Sequence, residues 1–338
     1  MTPLRRFFLL VGLLLAATSL SMTMRAQERF KFKSGIELVN ITATVTGRDG
    51  HFLSGLKKED FTVYDDDKPQ EITHFSSERV PVSLGIVLDA SGSMASDKMT
   101  SARAAISHFV NDLLGDDDQL FFMEFNERPS LTQDWTNDRR DIIRAMEHVN
   151  PIGSTALYDA INQALPVAAD GRHGKKALLV ISDGRDHESR TLVSELRQAI
   201  RESEVLVYAL GIDGIVSRTS QPSKGRPSTP PWGRGGRRGG FPPIFPQITW
   251  GSSSSSGDDG VDADALRRIT DDTGGRTEII HDLKDLDGAT SRIADELSRQ
   301  YSIGYTSPGL RDGKWHSIRV EVNDKSATVR ARKGYISS

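Results

Sequence analysis

The stretch Val82-Ser83-Leu84-Gly85-Ile86-Val87-Leu88-Asp89-Ala90-Ser91-Gly92-Ser93 decides how this chain is read. Its first seven residues carry no charge and are mostly apolar. Such a run reads as a strand buried on both faces, the habit of a parallel sheet. It leads directly into a tight, glycine-containing loop. In open α/β sheets, loops at the carboxyl ends of the strands hold ligands. This loop offers one carboxylate, Asp89, and two hydroxyls, Ser91 and Ser93, at alternate positions. All are hard oxygen donors of the kind that hold Mg²⁺. By itself Asp-x-Ser-x-Ser is a weak motif, since Asp89 could equally cap a turn among ordinary loop serines.

Two further segments add to it. Gly153-Ser154-Thr155-Ala156-Leu157-Tyr158-Asp159 opens a helical pattern and puts a hydroxyl, Thr155, at a helix start. Ala177-Leu178-Leu179-Val180-Ile181-Ser182-Asp183-Gly184 is a second apolar strand ending in a carboxylate. Together the three segments resemble the metal-ion-dependent adhesion site of the von Willebrand factor A domain. The resemblance spans about residues 81–300, and every expected ligand position is filled. It implies that Ser91 and Ser93 bind a metal ion through their hydroxyls. Asp89 and Thr155 would bind directly or through water, and Asp183 through water. Mg²⁺ suits so sparse a set because it keeps several waters, and Mn²⁺ suits oxygen sites as well. It also implies a partner: a protein ligand whose exposed Asp or Glu completes the coordination sphere.

Around this centre the chain alternates. Strands are expected at 82–89, 119–125, 176–182, 205–211 and 277–280. Helices are expected at 98–114, 139–149, 156–168, 192–202, 262–270 and 290–300. Ile106, Phe109, Val110, Leu113 and Leu114 give the first helix one apolar face. Alternation of this kind predicts an α/β fold, a doubly wound, mostly parallel sheet covered on both sides. The flanks differ. Residues 30–80 read as short strands separated by turns at 48–50 and 65–69. Residues 301–338 read as three more strands. Neither flank is large enough for its own core. They are therefore expected to join as one β-sandwich into which the α/β domain (81–300) is inserted; the alternative is that each flanks it separately. Residues 213–260, rich in Gly, Ser, Pro and Arg, read as a disordered insert on the metal-bearing edge.

The 338 residues carry a net charge of −3 and no cysteine. That charge gives no global pull toward nucleic acid or anionic membranes, and disulfides and a lipobox cysteine are excluded. Arg5 and Arg6 precede the apolar run 7–17, and small and polar residues follow to Ala26. This is the pattern of a secretory signal peptide, 1–26. The apolar run is shorter than the roughly 20 residues of a comfortable membrane helix, so membrane attachment is expected only if the segment stays uncleaved. The chain is thus expected to be exported, periplasmic or extracellular. Leu56-Lys57-Lys58-Glu59-Asp60-Phe61-Thr62-Val63-Tyr64 before the central domain, and Arg332-Lys333-Gly334-Tyr335 after it, are similar to segments of the A-domain-related exported proteins of Acidobacteria.

Other clusters carry less. Asp186-His187-Glu188 could be an acid–base group or a solvated helix entrance. Asp116–Asp118 and Asp65–Asp67 read as charged loops. The Arg/Gly tract at 233–240 resembles nucleic-acid-binding segments, but export argues against that partner. Gly-x-Ser-x-Gly, a phosphate-binding glycine loop and His-Glu-x-x-His are absent. The expectation is a binding module and not an enzyme. Two alternatives stand beside it: a metal-independent envelope scaffold binding polymers through the Arg/Gly insert, and a metal-dependent hydrolase.

Overall fold

A computed structural model describes residues 37–213, 261–307 and 312–337. The expected signal segment and all but the first residue of the 213–260 insert lie outside the described residues. No helix among the described residues is long and apolar enough to cross a membrane.

The decisive stretch forms β5 (Val82–Asp89), and all eight of its residues are buried. It sits inside a six-stranded sheet with β6 (Gln119–Phe125), β7 (Pro129–Thr136), β8 (Lys175–Ser182), β9 (Leu206–Ile212) and β10 (Thr277–Ile280), in the order β10-β9-β8-β5-β6-β7. Every pairing is parallel except β6 with β7. Because side chains alternate across a strand, Leu84, Ile86 and Leu88 enter one core and Val87 the other. The first core is closed by α1 (Asp97–His108, extended by a π-turn over Phe109–Leu113), α2 (Arg139–Glu147) and α6 (Leu286–Arg299). The second is closed by α3 (Leu157–Ala169), α4 (Val193–Glu202) and α5 (Ala263–Thr270). The sheet is therefore doubly wound, as its alternating pattern predicts. Gly85 is required within it: a Cβ there would lie 2.1 Å from Cζ of Phe121.

The flanks pair with one another. β1 (Glu37–Thr46), β4 (Ile72–Ser76), β11 (Tyr301–Ser307) and β13 (Thr328–Arg330) form a sheet in the order β13-β1-β11-β4. β2 (Phe61–Asp65), β3 (Lys68–Gln70), β12 (Trp315–Val322) and β14 (Gly334–Ile336) form another, β14-β12-β2-β3. Val39, Ile41, Val63, Tyr301, Ile303 and Ile318 share one core between them. Each sheet thus mixes strands from before and after the α/β domain. One residue, Gln300, separates α6 from β11. Beneath it, Glu296 is fully buried and accepts from Thr44 (3.2 Å) and Tyr208 (3.1 Å). It also pairs with Arg276 (3.6 Å) and Arg330. This ties sandwich and α/β domain into one compact unit, Leu38–Ser338.

Three local readings are corrected. β7 was not expected: an exposed edge strand that opens on a proline shows no apolar alternation. The last helix starts at Leu286, not 290, because packing of Leu286 and Ala289 outweighs the weak propensity of Gly288. The acidic turn after β2 shrinks to Asp66 and Asp67, both with positive φ (47° and 61°), and β3 begins at Lys68. That is the two-residue hairpin turn whose twist matches the strands.

Candidate metal centre

β5 and β8 are neighbours, yet their following helices leave to opposite faces: α1 to one core, α4 to the other. The crevice at such a reversal is where open α/β sheets bind ligands. Asp89 ends β5 and Asp183 follows β8, so both carboxylates stand at this crevice, almost wholly buried (0% and 2% exposed).

The first loop is folded by its own polar groups. Asp89 Oδ1 accepts from the Ser91 amide (2.8 Å), an Asx-turn that curls the chain back. The Ser91 and Ser93 hydroxyls then lie 3.0 Å apart, the former buried and the latter exposed. The Ala90 amide donates to the Phe125 carbonyl (2.6 Å), which holds the loop against the end of β6. The second loop docks on the first through its backbone. The Ile152 amide donates to Ala90 O (2.8 Å) and the Gly92 amide to Gly153 O (2.9 Å). Gly153 adopts φ +85°, a conformation that L side chains rarely take. Thr155 is buried and precedes the N-cap Ala156 of α3, which makes no side-chain cap bond. The Thr155 carbonyl accepts from the His187 and Glu188 amides (2.9 and 3.0 Å), joining the second loop to the third.

The third loop meets the first at Ser182, whose hydroxyl donates to Asp89 Oδ2 (2.6 Å) and accepts from the Gly184 amide (3.0 Å). The Asp262 amide donates to the Asp183 carbonyl (2.9 Å), and the Lys98 ammonium stands 3.9 Å from Asp183 Oδ2. Burial pushes the Asp89 carboxyl up to about 6. Hydrogen bonds from Ser182 and Ser91 oppose the rise, and the neighbouring Asp183 charge adds to it. The five sequence-derived residues therefore belong to three loops bonded to one another at one sheet edge. Two buried carboxylates sense each other across that edge, with hydroxyls beside them and the Lys98 ammonium nearby. The donors are all oxygen, and the unfavourable burial of paired carboxylates is what a divalent cation offsets. The residues present fit Mg²⁺ or Mn²⁺.

The other clusters resolve into supports. Asp186 accepts from Ser189 Oγ (2.5 Å) and the Tyr158 amide (3.3 Å), fixing the start of α3. Asp118 accepts from the Val82 amide (2.9 Å) and pairs with Arg79 (2.5 Å). One group was missed. Asp65, Asp66 and His316 place potential ligand atoms within 4.8 Å of one another. Asp65 already accepts from Tyr305 (2.8 Å) and Tyr335 (3.0 Å), and His316 contacts Asp66 (2.9 Å) and Asp312 (3.2 Å). His316 lies 250 residues from Asp66 in the chain, so no spacing in the sequence could have announced the group.

Comparison with known proteins bears on the central domain. Residues 84–185 match the family model of the von Willebrand factor type A domain. The chain carries such a domain. An uncharacterized protein of Synechocystis is 26% identical over 137 residues, 39% of this chain and 32% of that one. The voltage-dependent calcium channel subunit alpha-2/delta-3 of Rattus norvegicus is 27% identical over 146 residues, 39% of this chain and 13% of that one. The chain thus spans a third or less of the length of these curated relatives. Among solved structures, a von Willebrand factor type A protein from Catenulispora acidiphila aligns with a TM-score of 0.45 and 15% identity, covering 90% of this chain and 75% of that one.

Proposed function

We propose that this chain is an exported binding module that docks an acidic residue of a partner protein on a divalent cation held at the β5/β8 edge. The observation behind the reading is the bonding of three loops into one oxygen-lined crevice around Asp89 and Asp183. Ser91 and Ser93 would hold Mg²⁺ or Mn²⁺ through their hydroxyls, with Asp89, Thr155 and Asp183 in direct or water-mediated support. The ion supplies an exchangeable position to which an outside Asp or Glu carboxylate is attracted. The chain's own residues do the rest. With Asp183 acting through water, groups in direct contact would balance the cation's charge only in part, and exposed Ser93 leaves the crevice open. Ile152, 61% exposed on the docked second loop, offers an apolar contact at its rim. Export, to the periplasm or beyond, rests on the 1–26 segment. The similarity of the flanks to Acidobacterial exported proteins supports the same compartment.

The test is a pull-down from envelope extract with and without chelator, using wild type and Asp183→Ala. A partner retained by wild type in Mg²⁺, and lost both in chelator and in the variant, is expected. Equal recovery in all arms would leave the metal no part in binding. Deleting 217–256 should leave the Mg²⁺-dependent recovery intact; its loss would favour the Arg/Gly insert as the main contact.

A further inference from the structure

Three side chains of the sandwich converge where the hairpin turn after β2 meets the start of β12. Asp65 ends β2, Asp66 opens the turn and His316 is the second residue of β12. Each puts one potential ligand atom within 4.8 Å of those of the other two.

In all three, one polar atom is fixed from outside and the other is turned toward the group. Asp65 Oδ2 accepts from the Tyr305 and Tyr335 hydroxyls (2.8 and 3.0 Å), while Oδ1 lies 3.9 Å from His316 Nδ1. Asp66 Oδ1 accepts from the Ser317 amide and hydroxyl (2.9 and 3.1 Å), while Oδ2 lies 2.9 Å from the same Nδ1. The other ring nitrogen, Nε2, lies 3.2 Å from Asp312 Oδ1, and the imidazole stacks on Tyr335 with 5.3 Å between ring centroids. A ring N–H donated to an outer carboxylate leaves the second nitrogen as a bare lone pair, which is how metal-ligating histidines are held.

The charges argue for a cation here. Asp65 is only 5% exposed, yet among the described residues its Oδ1 has no hydrogen-bond donor. Among the described residues, too, neither Asp65 nor Asp66 has a Lys or Arg within ion-pair distance; His316 is the partner of both and is shared with Asp312. A buried carboxylate without its own counter-charge is costly. The spacing suits a tetrahedral ion. Bonds of about 2.1 Å to nitrogen and oxygen put neighbouring donors about 3.4 Å apart, between the observed 2.9 and 3.9 Å.

We propose that Asp65, Asp66 and His316 bind one Zn²⁺ through Asp65 Oδ1, Asp66 Oδ2 and His316 Nδ1. An imidazole among the donors favours a transition-metal dication over Mg²⁺. Asp66, with its side chain 50% exposed, puts the ion at the surface and its fourth position toward water. The site is separate from the β5/β8 edge, whose donors are all oxygen. It clips the β2–β3 turn to β12, and so joins residues that precede the α/β domain to residues that follow it. Zinc is thereby a staple of the sandwich.

Calorimetric titration of the chelator-stripped full chain with Zn²⁺ and with Mg²⁺ at neutral pH tests this. It is run on wild type and on Asp89→Asn, which keeps the metal edge out of the reading. In both, one saturable Zn²⁺ equivalent that depends on His316 is expected, with Mg²⁺ at least about a hundredfold weaker there. The same equivalent should raise the melting temperature. His316→Ala should lose it. Asp66→Asn, whose amide oxygen can still accept from Ser317, should weaken it at least about tenfold, the least that the loss of a supporting group costs a metal site. If His316→Ala does not fold, Asp66→Asn decides. Absence of a saturable Zn²⁺ equivalent overturns the proposal and leaves a protonated His316 as the only cation of the group. So does an equivalent undiminished in His316→Ala or in Asp66→Asn, or Mg²⁺ binding there as tightly as Zn²⁺.

Discussion

Replacing Asp89 by asparagine separates the cost of the candidate metal centre from its use. The folded state holds the Asp89 proton with a pKa of about 6, against 3.8 for an ordinary Asp. That is roughly a hundredfold tighter and corresponds to about 3 kcal/mol. The sign follows from proton counts. Between about pH 4 and 6 the folded chain binds a proton that the unfolded chain has released, so stability falls as pH rises through that window and then levels off. The substituted amide has nothing to titrate, and its oxygen can still accept from the Ser91 amide. In metal-free buffer Asp89→Asn should match wild type near pH 4 and exceed it by up to about 3 kcal/mol at pH 7. Mg²⁺ should close most of that gap. At a hundred times its dissociation constant a ligand of the folded state adds about 2.7 kcal/mol, and only wild type should gain it. Urea unfolding followed by circular dichroism, across pH 4–8 with and without Mg²⁺, measures both effects. Parallel pH profiles for the two proteins, or an equal Mg²⁺ gain in both, would refute the reasoning.

Lys175→Met should show the opposite pH trend. Between about pH 7 and 10 the unfolded chain binds the lysine proton and the folded chain does not, so wild-type stability should rise relative to the variant over that range, by several kcal/mol at most; a flat difference in urea midpoints would contradict it. Gly85→Ala drives a methyl to 2.1 Å from Phe121 Cζ in the sheet interior and should cost about 1–3 kcal/mol or more, seen as a lower melting temperature. Gly184→Ala combines φ +80° with a contact at 2.7 Å to the Asp262 carbonyl; it should displace the third loop and weaken Mg²⁺ binding by calorimetry more than it lowers stability. Removing 301–338 strips β1 of both β11 and β13 and β2 of β12, and the product should lose cooperative unfolding of its sandwich core by hydrogen exchange.

The central sheet was legible because burial on both faces forces a continuous apolar run. β5, β6 and β10 fall at the expected residues, and β8 and β9 within one residue of them. Edge strands escaped for the converse reason. β7, half in water, needs no apolar pattern, and the three-residue β3 and β14 are made by pairing with β2 and β12, not by propensity. The donors of the candidate centre were legible as residue types after strands: Asp89, Ser91, Ser93, Thr155 and Asp183. Lys98 beside Asp183 and Ser182 beneath Asp89 were not, since neither bears a spacing that points to the crevice.

The sequence by itself determined a buried parallel sheet with oxygen donors after two of its strands, because period and polarity are local properties of a chain. Tertiary structure alone decided that β5 and β8 lie side by side with helices leaving to opposite faces, which brings Asp89 and Asp183 within electrostatic reach. It alone decided that Lys175 is buried over Leu297 beside Gln300, 122 residues from its carbonyl partner. Adjacency of strands and burial of a charge are set by how distant segments pack, and no window of neighbouring residues contains that information.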